Sequence, residues 1–132
     1  MSVTFHIVGA PYEKYQPLPE EEPEYWSERP CEGFYEMNLS NTNAGDFLRI
    51  LGCHREAVEL YGKWNLEKVD KMLKKAIKVL NTNEKNKLLK PTETRSIITF
   101  VGRDGKYITD RLNDLIRLLQ AAQKHKMEVA FA

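Results

Sequence analysis

Two segments of the chain carry apolar side chains on one side of a predicted helix. Residues 66–81 follow Asn65, a favourable N-cap residue, and residues 107–124 show the longer pattern. A helix with one apolar stripe has to bury that stripe against another element of the same core. The stripe residues are Leu66, Val69, Met72, Leu73, Ala76, Ile77 and Leu80 in the first segment, and Ile108, Leu112, Leu115, Ile116, Leu119 and Ala122 in the second.

A shorter helix is predicted at residues 44–51, with Gly52 as its C-cap. Runs of β-branched and aromatic residues predict strands at residues 3–8, 33–40 and 95–102, and a last strand in the terminal sequence MEVAFA. We therefore predict an α+β fold: a small antiparallel or mixed sheet of three to four strands, with two to three amphipathic helices packed on one face. The expected core residues include Phe47, Leu73, Ile77, Leu115 and Leu119.

The length of 132 residues fits a single domain, spanning residues 1–132, with a long Pro-, Glu- and Tyr-rich connection at residues 10–31. Five of the six prolines lie in this connection, which predicts irregular structure. Long connections in small domains are uncommon and are often functional. We expect this segment, called the arm below, to lie packed across the surface and to bind a partner. Its candidate binding residues are the aromatic side chains Tyr12, Tyr15, Tyr25 and Trp26.

The stretch that joins the second predicted strand to the short helix is rich in asparagine and serine. These side chains accept hydrogen bonds from the free N–H groups of a first helical turn, so capping accounts for most of them. We predict that Asn43 caps the helix and that Asn41 ties the strand end to its neighbour. The alternative is a pocket that holds an anionic or carbonyl-bearing ligand at the helix N-terminus. The candidate ligand or structural residues of this junction are Asn38, Ser40, Asn41, Asn43 and Gly45.

The junction NLSNTNA, followed by a short leucine-rich helix that ends in ILG, resembles a group of small uncharacterised bacterial and phage proteins. Those proteins carry a similar N-x-S-N-x-N junction after a strand. The sequence YITDRLNDLIRLLQAAQ is similar to their Tyr-containing, leucine-rich last helix, which precedes a short terminal strand. The resemblance covers the middle and the C-terminal third of the chain. It implies a recurring unit of a bacterium, phage or mobile element, and it implies no activity.

Patterns for catalysis and for cofactor binding are weak. The two cysteines and three histidines show no C-x-x-C or H-x-x-x-H spacing, so we predict no metal and no cofactor. Cys31 and Cys53 could form one bridge, but free thiols in a reducing, cytoplasmic compartment fit this cysteine usage better. No apolar run is long enough to span a bilayer. We predict no catalytic residue, which disfavours an enzyme and leaves the question open.

Charge is segregated along the chain although the net charge is only +1. Residues 10–36 hold eight acids against two bases, and residues 63–95 hold ten bases against four acids. One explanation of this pattern is that both segments form solvated surfaces. The functional alternatives are an acidic arm that binds a protein partner and a basic patch that binds a phosphate-bearing partner. Nucleic acid is disfavoured, because the lysines lack interleaved aromatic residues. The leading hypothesis is a non-enzymatic interaction module that binds a protein partner or forms a homo-oligomer.

Overall fold

The computed structural model describes residues 1–15, 27–89 and 105–132. Its main sheet is antiparallel and has four strands in the order β4-β1-β6-β5, and the remaining two strands, β2 and β3, pair with each other. The predicted α+β class is thus confirmed. The strand predicted at residues 95–102 lies outside the described residues. The strands are β1 (Ser2–Ile7), β2 (Tyr12–Tyr15), β3 (Ser27–Pro30), β4 (Glu36–Ser40), β5 (Gly62–Trp64) and β6 (Val129–Phe131).

The C-terminal strand β6 lies inside the sheet, between β1 and β5. Phe131 is opposite Phe5 on β1 and opposite Gly62 on β5. Val129 and Phe131 are buried, whereas Ala130 lies on the other face and is half-buried. The predicted terminal strand is confirmed, and its backbone groups are satisfied on both edges because it has a neighbouring strand on each side.

Three aromatic rings from three strands form the centre of the buried sheet face. Phe5 and Phe131 stack with ring centroids 4.8 Å apart, and Trp64 meets Phe131 edge-on at 5.2 Å. A Cβ atom on Gly62 would lie 2.7 Å from the Phe131 ring, which no real Cβ contact allows. The glycine that begins β5 therefore gives the Phe131 ring its space.

Four α-helices and one 3₁₀ helix are present in the described residues, and their apolar sides complete one contiguous core with the buried face of the sheet. Helix α1 follows β4 without a loop, and a short segment separates it from α2. They are α1 (Asn41–Ile50), α2 (His54–Glu59), α3 (Leu66–Asn81), the 3₁₀ helix (Asn83–Leu89) and α4 (Gly105–His125).

Helices α3 and α4 pack against each other along their predicted apolar stripes. Asn65 caps α3 as predicted, since its side-chain oxygen accepts from the Lys68 N–H at 2.9 Å. Two stripe assignments on α3 are wrong. Leu66 and Ile77 are 45% and 38% exposed, while Val79 is fully buried. Residues 77 and 79 flank the stripe on opposite sides, so the position of the neighbouring elements decides which one is covered.

The arm is not irregular where the structure describes it. Strands β2 and β3 form an antiparallel ribbon with Tyr12 opposite Pro30 and Tyr15 opposite Ser27. Proline at a ribbon position is tolerated where its nitrogen does not face a partner carbonyl, so the proline count alone gave a wrong prediction. The ribbon pairs with no strand of the main sheet in the described part of the chain.

Candidate functional site

Ser40 is the N-cap of α1, and the prediction that Asn43 caps this helix is wrong. The Ser40 hydroxyl accepts from the Asn43 backbone N–H at 3.3 Å. The helix begins at Asn41, directly after the strand, so Asn43 already lies in its first turn. The Asn41 backbone N–H donates to the carbonyl of Met1 at 3.3 Å, which links the helix start to the beginning of β1.

The side chains of the junction point in different directions. Asn38 lies on the outer face of the sheet and donates to the hydroxyls of Ser2 and Thr4, at 3.0 and 2.8 Å. Asn43 points to α4 and donates to the Tyr107 hydroxyl at 3.1 Å. Gly45 is buried near the Ala57 carbonyl of α2. These contacts connect β4 and α1 to three different parts of the fold, so the junction residues do not converge on one pocket.

One polar atom of the junction is buried without a hydrogen bond among the described residues, the side-chain oxygen Oδ1 of Asn43. The same residue is half-buried as a whole, and its amide nitrogen holds Tyr107. A single such atom fits a structural link between α1 and α4 better than a ligand cradle. A ligand at the junction stays a prediction.

Replacing Ser40 with Ala is expected to destabilise the protein by about 1 kcal/mol, because the first turn of α1 loses its side-chain acceptor. Ser40→Asp should nearly preserve stability, since Asp caps as well as Ser. Urea denaturation of both variants beside the parent checks this. Equal losses for Ala and Asp would show that the hydroxyl acts in some way other than capping.

The arm keeps an exposed aromatic residue close to the domain. Tyr12 is 40% exposed, and its hydroxyl donates to the Glu36 carboxylate at 3.2 Å. Partial burial, with the nearby Glu36 and Glu28 charges, raises the pKa of the Tyr12 hydroxyl. Glu13 and Arg29 form an exposed ion pair across the ribbon at 3.0 Å. Of the other predicted arm residues, Tyr15 belongs to β2, whereas Tyr25 and Trp26 lie outside the described residues.

Two ring contacts hold the chain where it leaves the arm and enters β4. Phe34 stacks on His125 at the end of α4, with ring centroids 4.5 Å apart. The Arg117 guanidinium lies over the Tyr35 ring, 5.7 Å from its centroid. A cation over an aromatic ring at this distance is attractive. The base of the arm is therefore fastened to α4, next to the β1–β4 side of the sheet.

Five lysines of α3 line a groove with an apolar floor, which we call the lysine groove. Its volume is about 440 Å³, and Leu51, Gly52 and Met72 complete its lining. Leu51 and Met72 are 3% and 2% exposed, so they form the bottom rather than the rim. The lysines are Lys68, Lys71, Lys74, Lys75 and Lys78.

The spacing of these lysines explains why they face one groove. Residues 68, 71, 75 and 78 follow one another at three- and four-residue steps, which places them in one row along a helix. Gly52, with a φ of +85°, ends α1 next to this row, so that Leu51 and Gly52 complete the groove lining. The sequence signalled the basic row, but it gave no sign that Leu51 and Gly52 face it.

Few of these ammonium groups have an acidic partner in the part of the chain that the structure describes. Among the described residues, Lys75 alone of the five forms an ion pair, with Glu84 at 3.9 Å. Lys68 and Lys75 are half-buried, so their alkyl stems cover apolar surface, while the other three are exposed. The groove therefore presents a concentration of positive charge beside an apolar surface.

A buried thiol lies under this region. Cys53 is 2% exposed, and its sulfur is 3.5 Å from the Met72 sulfur. Burial raises the pKa of the Cys53 thiol, and the opposing charges of Lys68 and Lys71 offset this only in part. The thiol is thus a core group rather than a nucleophile. Cys31 and Cys53 are both free, which confirms that they form no bridge.

Comparisons with protein families, curated proteins and solved structures gave no match for this chain. Within residues 1–15, 27–89 and 105–132, no group of three or more His, Cys, Asp or Glu side chains could hold a metal ion. No helix in the described part of the chain is long and apolar enough to cross a membrane. The antiparallel α+β domain and its lysine groove are accordingly the features from which a function can be argued.

Proposed function

We propose that this chain is a protein-interaction module that binds an acidic protein segment in the lysine groove. The observation that carries the proposal is the concentration of five lysines around one groove of about 440 Å³. Only Lys75 is paired with a described residue. Uncompensated positive charge beside a low-dielectric surface attracts anions and accelerates their association.

The chemistry of the groove favours an acidic peptide over nucleic acid. Single-stranded nucleic acid is usually held by aromatic side chains that stack on bases, and none of the described residues that line this groove is aromatic. Leu51 and Met72 form its floor but are almost fully buried, so the apolar surface open to a peptide is mainly the alkyl part of the lysine side chains. A carboxylate-bearing segment with an occasional apolar residue is the ligand that this lining fits.

The arm gives the module a second candidate surface, and its excess of acids lies in residues 20–24 of the sequence. The described ribbon exposes two acids and two bases beside Tyr12, namely Glu13, Lys14, Glu28 and Arg29. Tyrosine and arginine are enriched at the centres of protein interfaces. In this proposal the arm and the lysine groove each bind protein, and neither surface performs a reaction.

The alternative function, a small-ligand site at the Asn38–Asn43 junction, has less support. Asn38 and Asn43 hydrogen-bond to different elements, and Gly45 packs against α2. A ligand there would have to displace contacts that the fold already uses.

The proposal is tested by isothermal titration with three polyanions: poly-L-glutamate, an oligothymidine of equal charge, and tripolyphosphate. We expect poly-L-glutamate to bind most tightly, with an affinity that falls as salt rises. The double variant Lys71→Glu/Lys78→Glu should weaken that binding by about tenfold or more, because two attractive charges become repulsive. Its matched control is Lys106→Glu/Lys124→Glu, an equal change of charge at exposed positions of α4 outside the groove.

Each possible result of these titrations either supports or contradicts the proposed function. Tighter binding of oligothymidine than of poly-L-glutamate would contradict a peptide ligand. Equal losses for the groove and control variants would show attraction by net charge alone, with no role for the groove. Circular dichroism of each variant confirms that the fold is kept.

A further inference from the structure

We infer that the acidic segment bound by the lysine groove is the arm of a second copy of this chain. The inference rests on the proposed function, since it names the partner of the same groove. It commits to one occupant, residues 10–31 of another molecule, and to self-association as the result.

Charge complementarity within one sequence is the first support. Residues 10–36 hold eight acids against two bases, and residues 63–95 hold ten bases against four acids. The consecutive Glu20, Glu21 and Glu22, followed by Glu24, give the arm its densest negative charge. The groove lysines have few acidic partners among the described residues. Two surfaces of opposite sign on one chain attract each other between copies.

Composition supports the fit as well. The arm sequence EEEPEYW places carboxylates next to prolines and aromatic residues. Proline restricts the backbone before binding, which lowers the entropy lost on docking. Aromatic side chains can pack on the lysine side chains that line the groove. The arm thus combines negative charge with aromatic side chains, and both fit the lining of the lysine groove.

The described ends of the arm and the start of α3 are connected to different strands of the main sheet. The arm leaves β1 and returns to β4, and β4 is one edge strand. Helix α3, which carries the lysines, directly follows β5 at the other edge. Three strand spacings, about 14 Å, separate the two edges. No described acid of the ribbon forms an ion pair with a groove lysine of the same molecule.

The presence of one arm and one groove on each chain limits the kinds of assembly that can form. Each copy contributes one arm and one groove, so a two-fold dimer would contain the same contact twice. A head-to-tail contact that does not close would produce longer chains instead. Both assemblies depend on the same pair of charged surfaces, and both dissociate as salt rises.

A charge-swap experiment with the full chain tests the inference. Sedimentation equilibrium is measured for the parent, for the groove variant Lys71→Glu/Lys78→Glu, for the arm variant Glu20→Lys/Glu22→Lys, and for an equimolar mixture of the two variants. We expect the parent to self-associate at about 50 mM salt and less at about 500 mM. Each variant alone should associate at least about tenfold more weakly, because most of the net charge of its groove or of its arm is removed and two of the charges now oppose the other surface.

The mixture is the decisive sample. The groove variant keeps the native arm and the arm variant keeps the native groove, so one native contact can form again between them. Association in the mixture should therefore be clearly stronger than that of either variant alone. The control Lys106→Glu/Lys124→Glu should associate like the parent, and circular dichroism should match for all samples. Recovery in the mixture cannot arise from a variant that fails to fold.

Three results would overturn the inference. They are a parent that remains monomeric at low salt, a groove variant that associates as the parent does, and a mixture no stronger than its components. If the parent is monomeric but poly-L-glutamate still binds the groove, the second copy is excluded and the proposed function stands. If neither poly-L-glutamate nor a second copy binds, both are wrong.

Discussion

A chain that lacks residues 127–132 is expected to be unfolded or poorly soluble. Strand β6 is the only described link between β1 and β5, so its loss breaks the sheet into separate parts. Val129 and Phe131 are almost fully buried, and Phe131 contacts the rings of both Phe5 and Trp64. Removing a buried Phe side chain alone costs about 3–5 kcal/mol, against a total stability of about 5–15 kcal/mol for a typical domain.

The measurement is far-ultraviolet circular dichroism with thermal melting of the truncated and full-length chains. The control is Glu128→Gln in the full chain, which removes only a solvent-exposed ion pair with Lys63. That change should cost no more than about 1 kcal/mol. A truncated chain that melts cooperatively at the parental temperature would show that β6 is dispensable.

Leu115→Ala is expected to destabilise the protein by about 2–5 kcal/mol, because it leaves a cavity in a closely packed region. Leu115 is 1% exposed and lies on the face of α4 that completes the core. Urea denaturation gives the free energy of unfolding for the parent and the variant.

Ile77→Ala is the matched comparison, since it removes a similar side chain from the other long helix. Ile77 is 38% exposed, so we expect a loss of less than about 1.5 kcal/mol. Similar losses at the two positions would mean that Ile77 is covered in solution, by a second copy or by another part of the chain.

The long helices could be predicted from the sequence because their apolar spacing is strong and extends over several turns. The terminal strand could be predicted because Val129 and Phe131 alternate with polar or small residues. Strand β5 was missed, since three residues of the type Gly-Lys-Trp carry no periodic signal. The ribbon was missed because the prolines around it outweighed the short strand patterns.

For the candidate sites, too, some features could be predicted from the sequence and others could not. The residue types at the junction predicted a capped helix, but four neighbouring Asn and Ser residues were equally good caps. Only the backbone path showed that Ser40 has the position to accept from the Asn43 N–H. The lysine row was visible in the sequence, whereas only the structure shows that Leu51 and Gly52, at the turn after α1, complete the groove lining.

The sequence by itself determined the two long helices with most of their apolar sides, the helix after β4, the strands β1, β4 and β6, and the division of charge along the chain. These properties depend on local periodicity and composition, which a single chain displays directly. The tertiary structure alone decided that Val79 rather than Ile77 is buried, that β6 lies between β1 and β5, and that five lysines share a groove with Leu51 and Met72. Each of those outcomes depends on which segments, distant in the sequence, pack against each other. That packing is decided by the apolar surface that all elements bury together, rather than by any one stretch of residues.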